Sequence, residues 1–312
     1  MADAYTKTDT TLMAPEIALY YSKVFLDNLN LVQSYNYLVE KKSIPGNIGK
    51  TVYFARETHF SVVTAALSEA TNPTAEAFSA EQVSAAVAEY GLLAKISSFF
   101  ELITLDSGLE QKTKEMSYNA GLTLDTILRD VLIAGGTTQF AGAKTVLTDV
   151  NSTDTMSVAE LRKAVKTLDA AGVPRFENGN FRGVICTQGI YELQGDTAAG
   201  NWINIGLYNS AENAQMLKDG VVKTLYGVDI KPSNNQYTVA STTTVYHSLV
   251  AGKGAAAEID IAGSGGAKVI YKKPGDGDTS NGLNMFSTLG WKINAYAAKV
   301  LEATRIIVIK HA

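Results

Sequence analysis

Residues 107–136 read SGLEQKTKEMSYNAGLTLDTILRDVLIAGG, and the organisation of the chain can be worked outward from them. Ser107 and Glu110 have the spacing of a capping box, in which a hydroxyl and a carboxylate satisfy backbone N–H groups left free at a helix start. Leu109, Met116, Ala120, Leu124, Ile127, Leu128, Val131 and Leu132 follow at helical intervals until Gly135-Gly136 stops them. The pattern predicts a helix of about seven turns. A second box, Ser157 with Glu160, opens a helix through Leu161, Ala164, Val165 and Leu168, which Gly172 and Pro174 close.

Upstream, residues 50–57 (KTVYFARE) alternate Val52 and Phe54 against Tyr53 and Ala55, and residues 82–97 alternate Val83, Ala85 and Val87. Both are strand patterns. The polar, small-residue segment 68–80 lies between them, so the pair predicts one long hairpin with an extended tip. From Glu57 to Ala94 there is no Lys or Arg, while Glu57, Glu69, Glu76, Glu81 and Glu89 all fall in that span. A hairpin this long cannot bury both faces on itself. It lies on its own body, on a neighbour, or in water as an acidic flap. Ahead of it, Pro15 and the spacing of Ile17, Tyr20, Tyr21, Val24, Phe25, Leu29, Val32 and Tyr35 predict an amphipathic helix over residues 14–40, with a turn at Ile44-Pro45-Gly46-Asn47.

Beyond Pro174 the pattern is mixed. Strands are predicted at residues 181–187, 224–231, 243–250, 267–273, 291–300 and 304–310, with short helices at 188–193 and 211–218 and glycine-rich spacers at 263–266 and 274–282.

The 312 residues allow one elaborate domain or two ordinary ones, with ample apolar sequence for a core. Hydrophobic residues make up 46%, but charged residues only 19%, below the roughly 25% of typical globular chains. Little of the surface is built to stay wet. A net charge of −4 supplies no global field toward nucleic acid or an anionic membrane. The single cysteine, Cys186, excludes an intramolecular disulfide, and with three histidines it leaves too few soft ligands for structural zinc. A reducing compartment is expected. The polar, threonine-rich start lacks the regions of a secretory signal, and no apolar run approaches the roughly 20 residues of a membrane helix. These features predict a soluble protein made inside the cell.

No catalytic motif is complete. Asn47-Ile48-Gly49-Lys50-Thr51 resembles the end of a phosphate-binding loop, but position 44 is Ile and a strand follows instead of a helix. Gly263-Ser264-Gly265-Gly266 lacks the third spaced glycine of a dinucleotide fingerprint. Asp276-Gly277-Asp278 begins like a calcium loop, but Asn281 and Ser287 stand where Gly and Glu are needed. His59, His247 and His311 are scattered, and Cys186 sits in an apolar strand pattern where inert thiols are usual. A pairing of Cys186 with one of the histidines stays open.

The order of elements is an N-terminal helical arm, a long hairpin, a long capped helix, a second helix, then a mixed region returning in C-terminal strands. It resembles the major capsid proteins of tailed bacteriophages, the Hong Kong phage type of α+β fold. Residues 90–105 (YGLLAKISSFFELITL), 121–134 (GLTLDTILRDVLIA), 245–253 (VYHSLVAGK) and 282–309, with Leu289-Gly290-Trp291-Lys292, are similar to segments of the N4-like podovirus members. The resemblance implies an N-terminal arm (1–42), an extended loop (43–97), a peripheral domain with the spine helix (98–174), an axial domain (175–252) and return strands of the peripheral domain (253–312).

It implies a structural protein rather than an enzyme, without cofactor, metal or membrane. Copies would assemble into the hexamers and pentamers of an icosahedral shell enclosing double-stranded DNA without sequence-specific binding. Assembly in the bacterial cytoplasm, a place in the virion, a separate scaffolding protein and a portal follow, with a decoration protein left open. The hairpin would lie over an adjacent subunit, and Glu69, Glu76 and Glu81 would meet Lys112 or Arg129 on the exposed side of a neighbour's spine helix. Two other readings stand beside this one: an encapsulin-type nanocompartment shell, and an α/β hydrolase using Cys186 or a carboxylate pair.

Overall fold

The computed structural model describes residues 25, 26, 29, 33–45, 49–57, 60, 62–64, 66, 72, 74–103, 109–196, 224–261, 266–275 and 281–312. The predicted sequence forms a 27-residue helix, α2 (Leu109–Gly135), preceded by the short α1 (Ser98–Ile103), and its expected cap Ser107 lies outside the described residues. Helix α3 (Val158–Ala170) begins as its box requires: the Ser157 hydroxyl accepts from the Glu160 backbone N–H. Helix α4 is Thr187–Gly195.

Among the described residues the strands form three sheets. One is built along the 15-residue β13 (Phe286–Val300), flanked by β4 (Ala88–Ser97), β12 (Ala267–Lys272) and β11 (Ala256–Ile261), with β1 (Glu40–Ile44) parallel to β11. A second runs β5 (Thr137–Phe140), β14 (Ile306–His311), β10 (Thr244–Ala251), β6 (Phe181–Cys186), β8 (Val228–Ser233) and β7 (Thr224–Leu225), with β9 (Thr238–Ala240) also on β10. The third is the hairpin of β2 (Thr51–Glu57) and β3 (Ala80–Ala86).

Helix α2 ties the two larger sheets together because its apolar stripe is long enough to serve both. Ala120 and Leu124 pack on Trp291, Ile293 and Tyr296 of β13, along with Phe25 and Leu29 from the N-terminal segment. Two turns on, Leu128 and Leu132 pack on Val184, Leu249 and Val308 of the second sheet. The other face of that sheet is covered by α3, whose Leu161, Ala164 and Leu168 meet Phe181, Ile185 and Ile309.

Ile306-Ile307-Val308-Ile309 of β14 is apolar on both sides and fully buried between β5 and β10, where both faces of the second sheet are covered. Strand β5 borders β14 at the edge of this sheet, and helix α3 packs on its face.

The predicted helix over 14–40 ends early. Helical backbone is present at 25, 26 and 29, but Tyr35–Leu38 is a 3-10 turn and β1 begins at Glu40. The buried Asp125 of α2 explains this: its carboxylate accepts from the backbone N–H groups of Ser34 (2.7 Å) and Tyr35 (2.8 Å), which a helix would point at its own carbonyls. The strand predicted over 82–97 divides at Val87. Its N–H closes the hairpin on Lys50 O (3.0 Å), and the chain then leaves the hairpin to pair with β13. Residues 224–231 are likewise two strands, because Tyr226 (φ 49°) and Gly227 (φ 77°) both take the left-handed backbone of a tight hairpin turn. The turn at Gly46-Asn47, the helix at 211–218 and most of both glycine-rich spacers lie outside the described residues.

Candidate assembly site

Among the described residues, the root of the hairpin rests on the body. Val52 and Phe54 lie against a cluster of Ala85, Val87, Ala257, Ile259, Ala295 and Ala297. Farther out, Phe60 and Phe78 meet edge to face at 4.9 Å between ring centres, yet Val62, Val63 and Phe78 are 86%, 81% and 91% exposed. Apolar side chains that the chain itself leaves uncovered mark a surface for contact.

The three carboxylates expected at that contact have different surroundings. Glu81 stands opposite Arg56 in the hairpin ladder and is ion-paired with it, both side chains being exposed. Glu76 is exposed near the tip, and Glu69 lies outside the described residues. Of the two expected partners, Lys112 is on α2 with its ammonium 4.3 Å from the centre of the Phe100 ring. Arg129 is turned inward. It donates to Asn235 Oδ1 (2.6 Å) and to the Gln236 carbonyl (3.3 Å), pairs with Asp130 (2.8 Å), and is 12% exposed.

A more open basic surface lies on the first sheet. Register places Lys268, Lys292 and Gly91 in one row, Ile270, Gly290 and Leu93 in the next, and Lys272, Thr288 and Lys95 in the third. The alternate residues Val269, Trp291 and Ile293 face α2, so this grid points away from it. Lysine holds four of the nine positions, and Lys268 opposes Lys292 directly, an unfavourable pairing relieved by Glu89 at 3.1 Å from Lys292. The sequence carries these lysines in plain sight; the register that gathers them was missing.

A buried polar cluster occupies the second sheet. His311 Nδ1 is 2.8 Å from Glu192 Oε2; its Nε2 is 3.1 Å from Ser248 Oγ and 3.5 Å from Cys186 Sγ, which also accepts from the Gly189 N–H at 3.3 Å. Burial opposes charge on His311, but the Cys186 and Glu192 bonds prevail and its pKa is pushed up to about 9. Burial raises Glu192 and the Cys186 thiol, but contact with His311 brings both below their ordinary values. Of the pairings left open by sequence, His311 is therefore the partner of Cys186. His247, one residue from Ser248, turns to Tyr237, and burial pushes its pKa down to about 4. Cys186, Ser248 and His311 are each 0% exposed, so a substrate has no approach to the sulfur in this arrangement. Among the described residues no group of His, Cys, Asp and Glu is placed to hold a metal, and no helix is long and apolar enough to cross a membrane.

The chain matches no protein-family model and no curated protein sequence. Its structure is nevertheless similar to the capsid of Ralstonia phage GP4, at a TM-score of 0.66 and 13% identity over 89% of this chain and 88% of that one. It is also similar to the capsid structure of cyanophage P-SCSP1u, at 0.65 and 17% over 90% and 88%. The virus-like particle from Pyrococcus furiosus gives 0.52 and 12% over 94% and 99%. These likenesses define the class: the chain has the α+β fold of tailed-phage capsid proteins, the Hong Kong phage type. The likeness to the phage capsids is stronger than that to the virus-like particle.

Proposed function

We propose that this protein is the major capsid protein of a tailed bacteriophage. It assembles with copies of itself into hexamers and pentamers of a closed shell around double-stranded DNA, as part of the virion, and has no catalytic role. The observation that carries this reading is an apolar, acidic hairpin that leaves its own body uncovered at the tip, on a fold that capsids share along nearly the whole chain. The first sheet with α2 is taken as the peripheral domain, and the second sheet with α3 and α4 as the axial domain.

In this reading Glu69, Glu76 and Glu81 of one subunit meet cations of the next. The inward turn of Arg129 favours Lys112 and the lysine grid of β4, β12 and β13 as the receptor. Each such pair contributes only about 0–1 kcal/mol, so the effect comes from repetition across the lattice.

Negative-stain electron microscopy and sedimentation of the protein, alone and with a scaffolding protein, test the reading. Closed shells or lattice sheets support it; a uniform monomer or dimer under both conditions refutes it. Lys268→Glu with Lys292→Glu is expected to weaken assembly at low salt, and Glu76→Lys with Glu81→Lys in the same chain to restore it. The Pyrococcus likeness favours one second reading, an encapsulin-type compartment, which would close into shells without scaffold or portal.

A further inference from the structure

The buried cluster around His311 joins three strands of the second sheet to helix α4. Cys186 ends β6, Glu192 is on α4, Ser248 is on β10, and His311 is the last residue of β14. Gly189 is shaped to this purpose: a Cβ there would come within 3.1 Å of the imidazole and 2.9 Å of Ile185. The strand end is tied down further by the Ala312 N–H, which donates to the Asp154 carbonyl at 3.1 Å. We propose that Glu192, His311, Cys186 and Ser248 form a buried lock that fastens the C-terminal strand to α4, held by the His311–Glu192 ion pair and released when His311 loses its proton.

The groups around the imidazole support a charged ring. Glu192 faces it from α4 and also accepts from the Met156 N–H (2.6 Å) and Gln188 (3.0 Å), which fixes the carboxylate for the pair. Cys186 and Ser248 face the other nitrogen from β6 and β10. Tyr246, its partner across the ladder, stacks on the ring at 6.0 Å. Lys310, next along β14, turns its ammonium to the Phe140 ring, and the Asp154 carboxylate is occupied by the Asn151 N–H and Lys144.

A histidine whose pKa is higher folded than unfolded stabilises the folded form fully below its unfolded value near 6.5, and that stabilisation is lost as pH rises through about 9. Taken alone, the His311 difference corresponds to a change on the order of a hundredfold in the opening equilibrium; the thiol of Cys186, held below its ordinary value by the same contact, adds stability as pH rises and offsets part of it.

Cys186, the sole cysteine, reports on the lock from inside it. Its alkylation rate in the full chain, divided by the rate in the denatured chain at the same pH, measures opening without the thiol's own ionisation. We expect protection to fall between pH 6.5 and pH 9.5, by up to about a hundredfold. Glu192→Gln is expected to be poorly protected already at pH 6.5 and to show little further change. Protection that stays constant over this range in the unaltered protein would overturn the proposal, and needs no variant to fold. Glu192→Gln with unchanged protection and slope would overturn it too. The assay reads the subunit whether or not it assembles, so its outcome is separate from that of the capsid reading.

Discussion

Replacing Asp125 tests how the N-terminal segment is attached to the body. One carboxylate oxygen accepts from the N–H groups of Ser34 and Tyr35, and the other accepts from the Asn235 side chain at 2.9 Å. Asp125→Ala strands all three donors. A buried donor without an acceptor costs about 1–3 kcal/mol. Tyr35 is 1% exposed and takes the full penalty, while Ser34 and Asn235 are only part-buried and take the lower figure, so the variant should lose about 3–5 kcal/mol. That is a large share of the roughly 5–15 kcal/mol of a typical domain. Asp125→Asn is milder because its oxygen can still accept both backbone N–H groups. Its new amide then faces the Asn235 amide, and Asn235 cannot turn over without losing Arg129 at its oxygen. A loss of about 1–2 kcal/mol follows. Urea unfolding of the full chain measures both, and limited proteolysis ahead of Tyr35 should rise in the same order. An alanine variant within 1 kcal/mol of the parent, or an asparagine variant as damaged as alanine, would refute the clamp.

Two further outcomes are expected. Gly290→Ala places a Cβ 2.8 Å from the Leu92 carbonyl oxygen and 3.2 Å from Leu93. It should push β4 from β13 and destabilise by about 1–3 kcal/mol in urea unfolding. His247, with a folded pKa of about 4, gives stability that is complete above its unfolded value near 6.5 and is lost as pH falls toward 4. The loss is about 3 kcal/mol at most. Urea titrations between pH 7 and pH 4.5 should show this slope in the parent and a shallower one in His247→Gln; equal slopes refute the assignment.

The sequence by itself determined the elements whose signals are local. A hydroxyl at Ser157 caps the start of α3, glycines stop it and α2, and apolar spacing sets which face of α2 is buried, since all of this is settled within a few turns of one helix. The alternation of residues 51–57 likewise predicted β2. Short polar strands such as β1 and β5 carried no such signal, because their stability comes from a partner strand far along the chain. Tertiary structure alone decided where residues 82–97 leave the hairpin, since β13 competes with β2 for that strand. It also placed Ile306–His311 between β5 and β10 in the second sheet, where an apolar strand finds cover on both faces. The lysine grid and the Cys186–His311 pair belong to the same category. Lys95 and Lys268 are 173 positions apart and Cys186 and His311 are 125 apart, so only strand pairing brings either set together.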